Sequence, residues 1–213
     1  MNLRLRTLSQ FSRDTRLLIA TSGIIATSFF GINTLLRVLY ILRLGYGPEY
    51  VGWFGAAGAF TYTMMGLPSG ALGRRFGVRR IMLIGGIITV AGMAILPLTE
   101  FLPPQVQAVW PIWSQVLHIA GWSMFNVNFV PALMATTTAE ERSSAYALNG
   151  VLKGVGTFLG TTIGGALPGM FARMFSLELD AARPYGYGIW VAAVVGLGAL
   201  IPLSRLGKLE QSL

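Results

Sequence analysis

Along the chain, apolar runs of roughly 20 to 28 residues alternate with short polar, Pro/Gly-marked or basic breaks, and each run is long enough to cross a ~30 Å hydrocarbon core as a helix. Six runs emerge, at about 17–42, 50–72, 81–98, 108–135, 145–171 and 185–203. Little of the chain lies outside them, so the pattern predicts an all-α membrane protein of six transmembrane helices forming a single bundle over 1–213. The first run follows a basic start, "MNLRLRTLSQFSRDTR", but is too long for a secretory h-region and ends without a small-residue cleavage site. It is expected to be a retained span.

Composition agrees with the pattern. Hydrophobic residues make up 54% of the chain and charged residues 11%, with a mean hydropathy of +0.62, well outside the range of soluble domains. A soluble ligand-binding module is thereby excluded. The chain has no cysteine, which excludes disulfides and thiolate metal sites; no metal or cofactor is expected.

Charge then orients the spans. Arg4, Arg6, Arg13, Arg16, Arg74, Arg75, Arg79, Arg80, Arg142, Arg205 and Lys208 fall at one set of span ends, whereas Arg43, Arg173 and Arg183 fall at the other. The basic side is expected to be cytoplasmic, with both termini inside a cell membrane. Trp53, Trp110, Trp113 and Trp190, with Tyr40, Tyr46, Tyr50, Tyr185 and Tyr187, lie toward the opposite ends, where amphipathic rings favour the interface. The net charge of +8 is therefore a topology signal and an attraction to anionic lipid, not a nucleic-acid footprint.

The densest basic cluster carries more than charge. Gly70-x-x-x-Arg74-Arg75-Phe76-Gly77-Val78-Arg79-Arg80 resembles the loop between the second and third helices of the major facilitator superfamily, where the pattern is Gly-x-x-x-Asp-Arg-x-Gly-Arg-Arg. Gly70 and Gly73 suit close helix approach, Gly77 a tight turn, and the arginines a wet headgroup zone. Arg74 stands where the family carries an acidic residue that latches the cytoplasmic side to the other half. A latch of the same sign is therefore ruled out. Arg74 is left to reach a carboxylate or a helix C-terminus, or the latch is absent.

The fifth run, "NGVLKGVGTFLGTTIGGALPGMF", has Gly150 and Gly154, then Gly156, Gly160 and Gly164, at four-residue spacing, with Gly165 following. These predict one small-residue packing face. The run resembles the glycine motif of fifth helices in family antiporters, but Thr161 replaces its proline and Ala147 its leading glycine. Tight packing is the simpler expectation. "SGALGRRF" at 69–76 and "GGALPGMF" at 164–171 also resemble each other, with Gly55 opposite Gly150. The family fold has two inverted three-helix repeats per bundle, in which the second and fifth helices are equivalent.

All eight carboxylates fall in termini, loops or span ends. The ionisable groups inside the runs are Arg37, His118 and Lys153, joined by the polar Asn33, Asn126 and Asn128. A cation at the bilayer centre costs on the order of 3 kcal/mol, so each must face a cavity, find a partner or snorkel. For Arg37 snorkelling is a real alternative, and for His118 hydrogen-bonded packing is favoured over proton relay. Lys153, about eight residues or ~12 Å into its predicted helix, is expected to face a cavity.

In the family the first and fourth helices line the substrate cavity, so Asn33, Arg37, His118, Asn126 and Lys153 become the candidate cavity set. A cationic cavity lacking carboxylates favours an anionic or acid-bearing small-molecule solute, or a carboxylate from another subunit. Family transporters usually comprise two six-helix bundles. The resemblance thus implies the N-terminal half of a transporter needing a second bundle, from a C-terminal half, a sister chain or itself, with Gly66, Gly70, Gly156, Gly160 and Gly164 as the contact faces. A membrane-embedded enzyme or assembly factor is the competing class. No H-E-x-x-H, paired intramembrane Asp or G-x-S-x-G supports catalysis.

Overall fold

The computed structural model describes residues 11–207; Arg4, Arg6 and Lys208 of the charge pattern, and Glu210 among the eight carboxylates, lie outside the described residues. Those described form six long helices. Helix α1 runs Arg13–Arg43, α2 Pro48–Phe76, α3 Val78–Phe101, α4 Trp110–Ala135, α5 Ala139–Met174 and α6 Arg183–Ser204. No strand occurs among the described residues.

Five of the six, all but α2, are long and apolar enough to cross a membrane. Helix α2 has 29 residues, ample length, but Gly, Thr, Tyr and Pro dilute its hydropathy while Trp53, Phe60, Met64 and Leu67 keep it apolar and exposed.

All helices but α4, which starts two residues inside its predicted run, extend past theirs. The largest extension is at the start of α5, where Thr138 and Glu141 form a reciprocal capping box. This closes two orphan donors and starts the helix six residues before Ala145. Between α2 and α3 the whole turn is Gly77, at φ 91°, a left-handed conformation that a side chain resists.

Helices α3 and α4 pack most closely. A methyl on Gly85 would lie 2.7 Å from the Gly121 carbonyl oxygen, and one on Gly121 would lie 2.6 Å from that of Gly85. Small residues let these backbones touch. Helix α6 closes the back of the bundle against α1 and α3, and Ser28 donates to the Ala192 carbonyl across 2.7 Å.

Helices α2 and α5 lie at the margins, each burying one stripe: Phe54, Gly58, Thr61, Ser69 and Gly73 on α2, and Ala145, Asn149, Gly156, Gly160 and Gly164 on α5.

The two ends of the bundle are laced differently. At the basic end Ser12 and Thr15 donate to the Thr136 carbonyl, Asp14 accepts from the Gly207 N–H, and Arg79 donates to the Ser204 carbonyl. At the other end Arg43 pairs with Asp180 and Arg183 with Glu100. There α3 tightens into a 3-10 turn over Leu96–Phe101, which frees the last α-helical carbonyls. Trp190 and Trp110 donate to those of Ala94 and Ile95.

Candidate functional site

Helix α1 is α-helical over Arg13–Ile25, π-helical over Ala26–Asn33 and α-helical again over Thr34–Arg43. A π turn carries more residues than an α turn, so it rotates everything after it about the helix axis. The Thr34 hydroxyl donates to the Phe29 carbonyl across 2.8 Å, which supports the widened turn.

Beyond it, Arg37 reaches toward α2 and α4. Its Nη1 donates to Gln115 Oε1 at 3.1 Å, and its guanidinium carbon lies 5.7 Å from the Phe29 ring centre and 5.8 Å from that of Phe54. Gln115 is buried and sits against Gly58 of α2, where any side chain would displace it. Arg37 therefore ends in an aromatic cradle backed by a neutral amide. Among the described residues no carboxylate pairs with it.

His118 lies one turn further along α4. It is buried, with Nδ1 3.1 Å from the Thr89 carbonyl, and its ring meets Phe29 edge-on at 4.5 Å. Gly92 leaves the space for it. Among the described residues, its Nε2, the Oδ1 of buried Asn33 and the Nε of Arg37 find no hydrogen-bond partner. Three unmet polar atoms on α1 and α4 are costly unless a water or solute completes them.

Arg37 and His118 thus meet around Phe29. Asn126 and Lys153 do not join them. Asn126, about 12 Å along α4 from His118, donates to the Tyr62 hydroxyl of α2 at 2.8 Å. Asn128 bonds the Ser69 and Met124 carbonyls and fills the space beside Gly73, an inter-helix role. Lys153 lies over the Phe129 ring at 5.4 Å. Because α5 begins at Ala139, Lys153 is about 21 Å along the helix rather than ~12 Å.

The aromatic wall was not read from the sequence. Phe29 and Phe30 sit 4.7 Å apart, with Trp122 edge-on to both, while Phe30 alone of the three is exposed. Beside Phe30 an open groove of about 370 Å³ runs between α1 and α5, lined by Gly31, Thr34, Leu35, Val38 and Thr161. Gln115 was missed as well, although its place three residues before His118 put it one turn away on the same helix.

The glycines of α5 require a correction: they form two faces, not one. Gly154 and Gly156 are two residues apart, or about 200° around the helix. Gly156, Gly160 and Gly164 press on α1, where a methyl on Gly156 would lie 2.6 Å from the Gly23 carbonyl and one on Gly160 would strike that of Thr27. The partner of this face is the chain's own first helix, not a second bundle. A methyl on Gly150, Gly154 or Gly165, or on Gly66 of α2, would meet no neighbouring helix or side chain within 4 Å, and one on Gly70 would meet Val127 only loosely, at 3.7 Å.

In the basic turn, Arg74, Arg75 and Arg80 are exposed, Arg75 lies over Phe76, and Arg79 is held to α6.

Comparison with known proteins places this arrangement. The family model of the Major Facilitator Superfamily matches residues 18–210. The chain is also 23% identical over 190 residues to the multidrug resistance protein MdtH of Proteus mirabilis (strain HI4320). That alignment covers 89% of this chain and 44% of the relative, so the chain spans less than half of its length.

Proposed function

The chain belongs to the Major Facilitator Superfamily, and from that premise we propose that it is one six-helix bundle of a secondary transporter that moves a small anionic solute by alternating access against a second bundle. In this reading all six long helices cross the membrane, α2 included, as two inverted three-helix repeats, and the basic end with both termini is cytoplasmic.

The observation that carries the anionic reading is Arg37, a guanidinium within the helical bundle that meets an amide and two rings but, among the described residues, no carboxylate. A fixed cation in that setting is best matched by an anion that arrives and leaves. Asn33 and His118 belong to the same solute path, and Asn126 and Lys153 continue it toward the basic end.

The second bundle is supported by the open small-residue positions. A methyl on Gly52, Gly55 or Gly66 of α2, or on Gly150, Gly154 or Gly165 of α5, would meet nothing within 4 Å among the described residues, and partner backbones could approach there. The span of 44% of the relative's length points the same way. Arg74, exposed at the end of α2, is then placed to meet a carboxylate or a helix C-terminus of that bundle.

The test is to purify the chain, determine its mass in detergent and measure organic-acid uptake in liposomes. The reading predicts no uptake by a verified monomer and uptake only with a second bundle present. Uptake by the monomer would overturn the two-bundle requirement. Reporter fusions after Arg80 and Glu100 test the orientation, with an internal and an external signal expected respectively.

A further inference from the structure

We propose that the second bundle is a second copy of this chain, related to the first by a two-fold axis along the membrane normal, so that α2 of each copy meets α5 of the other. The inference rests on the two-bundle reading and names the partner.

The topology makes the two helices counterparts. Helix α2 packs on α4 and α5 on α1, so α2 and α5 are opposite margins of one layer, with α3 and α6 behind it. A two-fold axis in front of that layer sets each margin against the other margin of the partner and keeps the basic ends together. Because α2 runs toward the basic end and α5 away from it, the two meet antiparallel.

Their charges then match at both ends. Helix α2 has Glu49 in its first turn and Arg74 and Arg75 in its last, whereas α5 has Glu140 and Glu141 in its first turn and Arg173 in its last. In the two-fold pair arginine meets glutamate at the basic end and glutamate meets arginine at the other, each contact occurring twice. Glu49, Arg74, Glu140 and Arg173 are all exposed, and none forms an ion pair among the described residues. Pairing α2 with α2 would instead set arginine on arginine. The exposed apolar side chains of α2 and α5 do not decide the matter, since lipid tails accept them equally well.

The small residues supply a common register. Gly55, Gly66 and Gly70 are spaced by eleven and then four residues, and Gly150, Gly154 and Gly165 by four and then eleven, so each set runs along one side of its helix. Laid antiparallel, the spacings coincide: Gly55 faces Gly165, Gly66 faces Gly154 and Gly70 faces Gly150. Apart from Gly70, a methyl at any of these positions meets nothing within 4 Å, which leaves room for a partner backbone. In this register Glu49 and Arg173 are about 3 Å out of step along the axis, and Arg74 and Glu140 about 9 Å, an offset shared between two long side chains. At about 100° per residue all four charges fall on the same flank of the glycine seam.

The natural absence of cysteine permits a direct test on the full chain. Gly66→Cys together with Gly154→Cys, oxidised in liposomes, should give a covalent dimer, because facing small-residue positions come within disulfide reach; either single variant should stay unlinked. The natural chain should have the mass of a dimer in detergent. Arg74→Glu should raise the dimer dissociation constant about fivefold or more, and adding Glu140→Arg should bring it back, a restoration that a folding defect does not show. Glu49→Arg and Arg173→Glu should behave in the same way. A folded monomer with neither cross-link nor organic-acid uptake would overturn the second-copy assignment and leave the two-bundle reading standing, with a different chain as partner. A folded monomer that takes up solute would overturn both. A dimer that is unlinked at positions 66 and 154 and indifferent to the charge reversals would overturn the pairing of α2 with α5.

Discussion

The two faces of α1 meet their neighbours in opposite ways. Toward α5 the contact is backbone on backbone: Gly31 lies against Gly160 and Gly156 against the Gly23 carbonyl, and a methyl on Gly31, Gly156 or Gly160 would clash. Toward α4 the contact is made by long side chains, Arg37 with Gln115 and Phe29 with His118 and Trp122, and buried polar atoms there find no partner among the described residues. A contact made of glycine has one good geometry and fixes the bundle. A contact made of rings and a guanidinium that meets no carboxylate among the described residues leaves hydrogen-bonding capacity unmet, which suits a site that must fill and empty.

Breaking the dry face should have the largest effect. Gly160→Leu drives a side chain into the Thr27 carbonyl and is expected to destabilise the chain by about 3 kcal/mol or more, read as lost yield and a lowered melting temperature in detergent. Gly165→Leu, on the open face of the same helix, should change stability by less than about 0.5 kcal/mol while weakening association with a second bundle. Equal damage from both would mean that α5 does not have two distinct faces.

Next comes the polar face. Arg37→Met keeps the aliphatic stem and removes the charge-assisted bond to Gln115, so anion binding should fall by about tenfold or more with the Gly160 contact intact. The smallest expected effect is at the join between the faces. Thr34→Val removes the hydroxyl that supports the Phe29 carbonyl in the π-helical stretch, at a cost of about 1 kcal/mol. It should weaken anion binding without altering the α5 face, because it loosens only the turn that aims Arg37.

The all-helical character and the five most apolar long helices could be read from the apolar runs, because length and hydropathy are local properties. Helix ends were legible only in part: Thr138 and Glu141 spell a capping box that starts α5 early, a signal outweighed in the hydropathy reading by the polar Glu140, Glu141 and Arg142. Gly77 was legible as a turn because its positive φ has a residue-type signature. The two faces of α5 were hidden by reading a four-residue spacing across the two-residue step from Gly154 to Gly156. The π-helical stretch Ala26–Asn33 has no such signature, and it decides where Arg37 points. Gln115 and the wall of Phe29, Phe30 and Trp122 come from different helices, so only the packing of α1 on α4 reveals them as neighbours.

The division of α1 into a dry face and a solute-facing one is tested most directly by single-cysteine labelling, for which the natural absence of cysteine provides a clean background. Thr27→Cys probes the side pressed on Gly160, and Arg37→Cys the side facing Gln115. With the folded chain in liposomes, a membrane-impermeant thiol reagent admitted to both sides should label position 37 and leave position 27 unmodified. Labelling of both positions alike, or protection of position 37 with modification of position 27, would contradict the account.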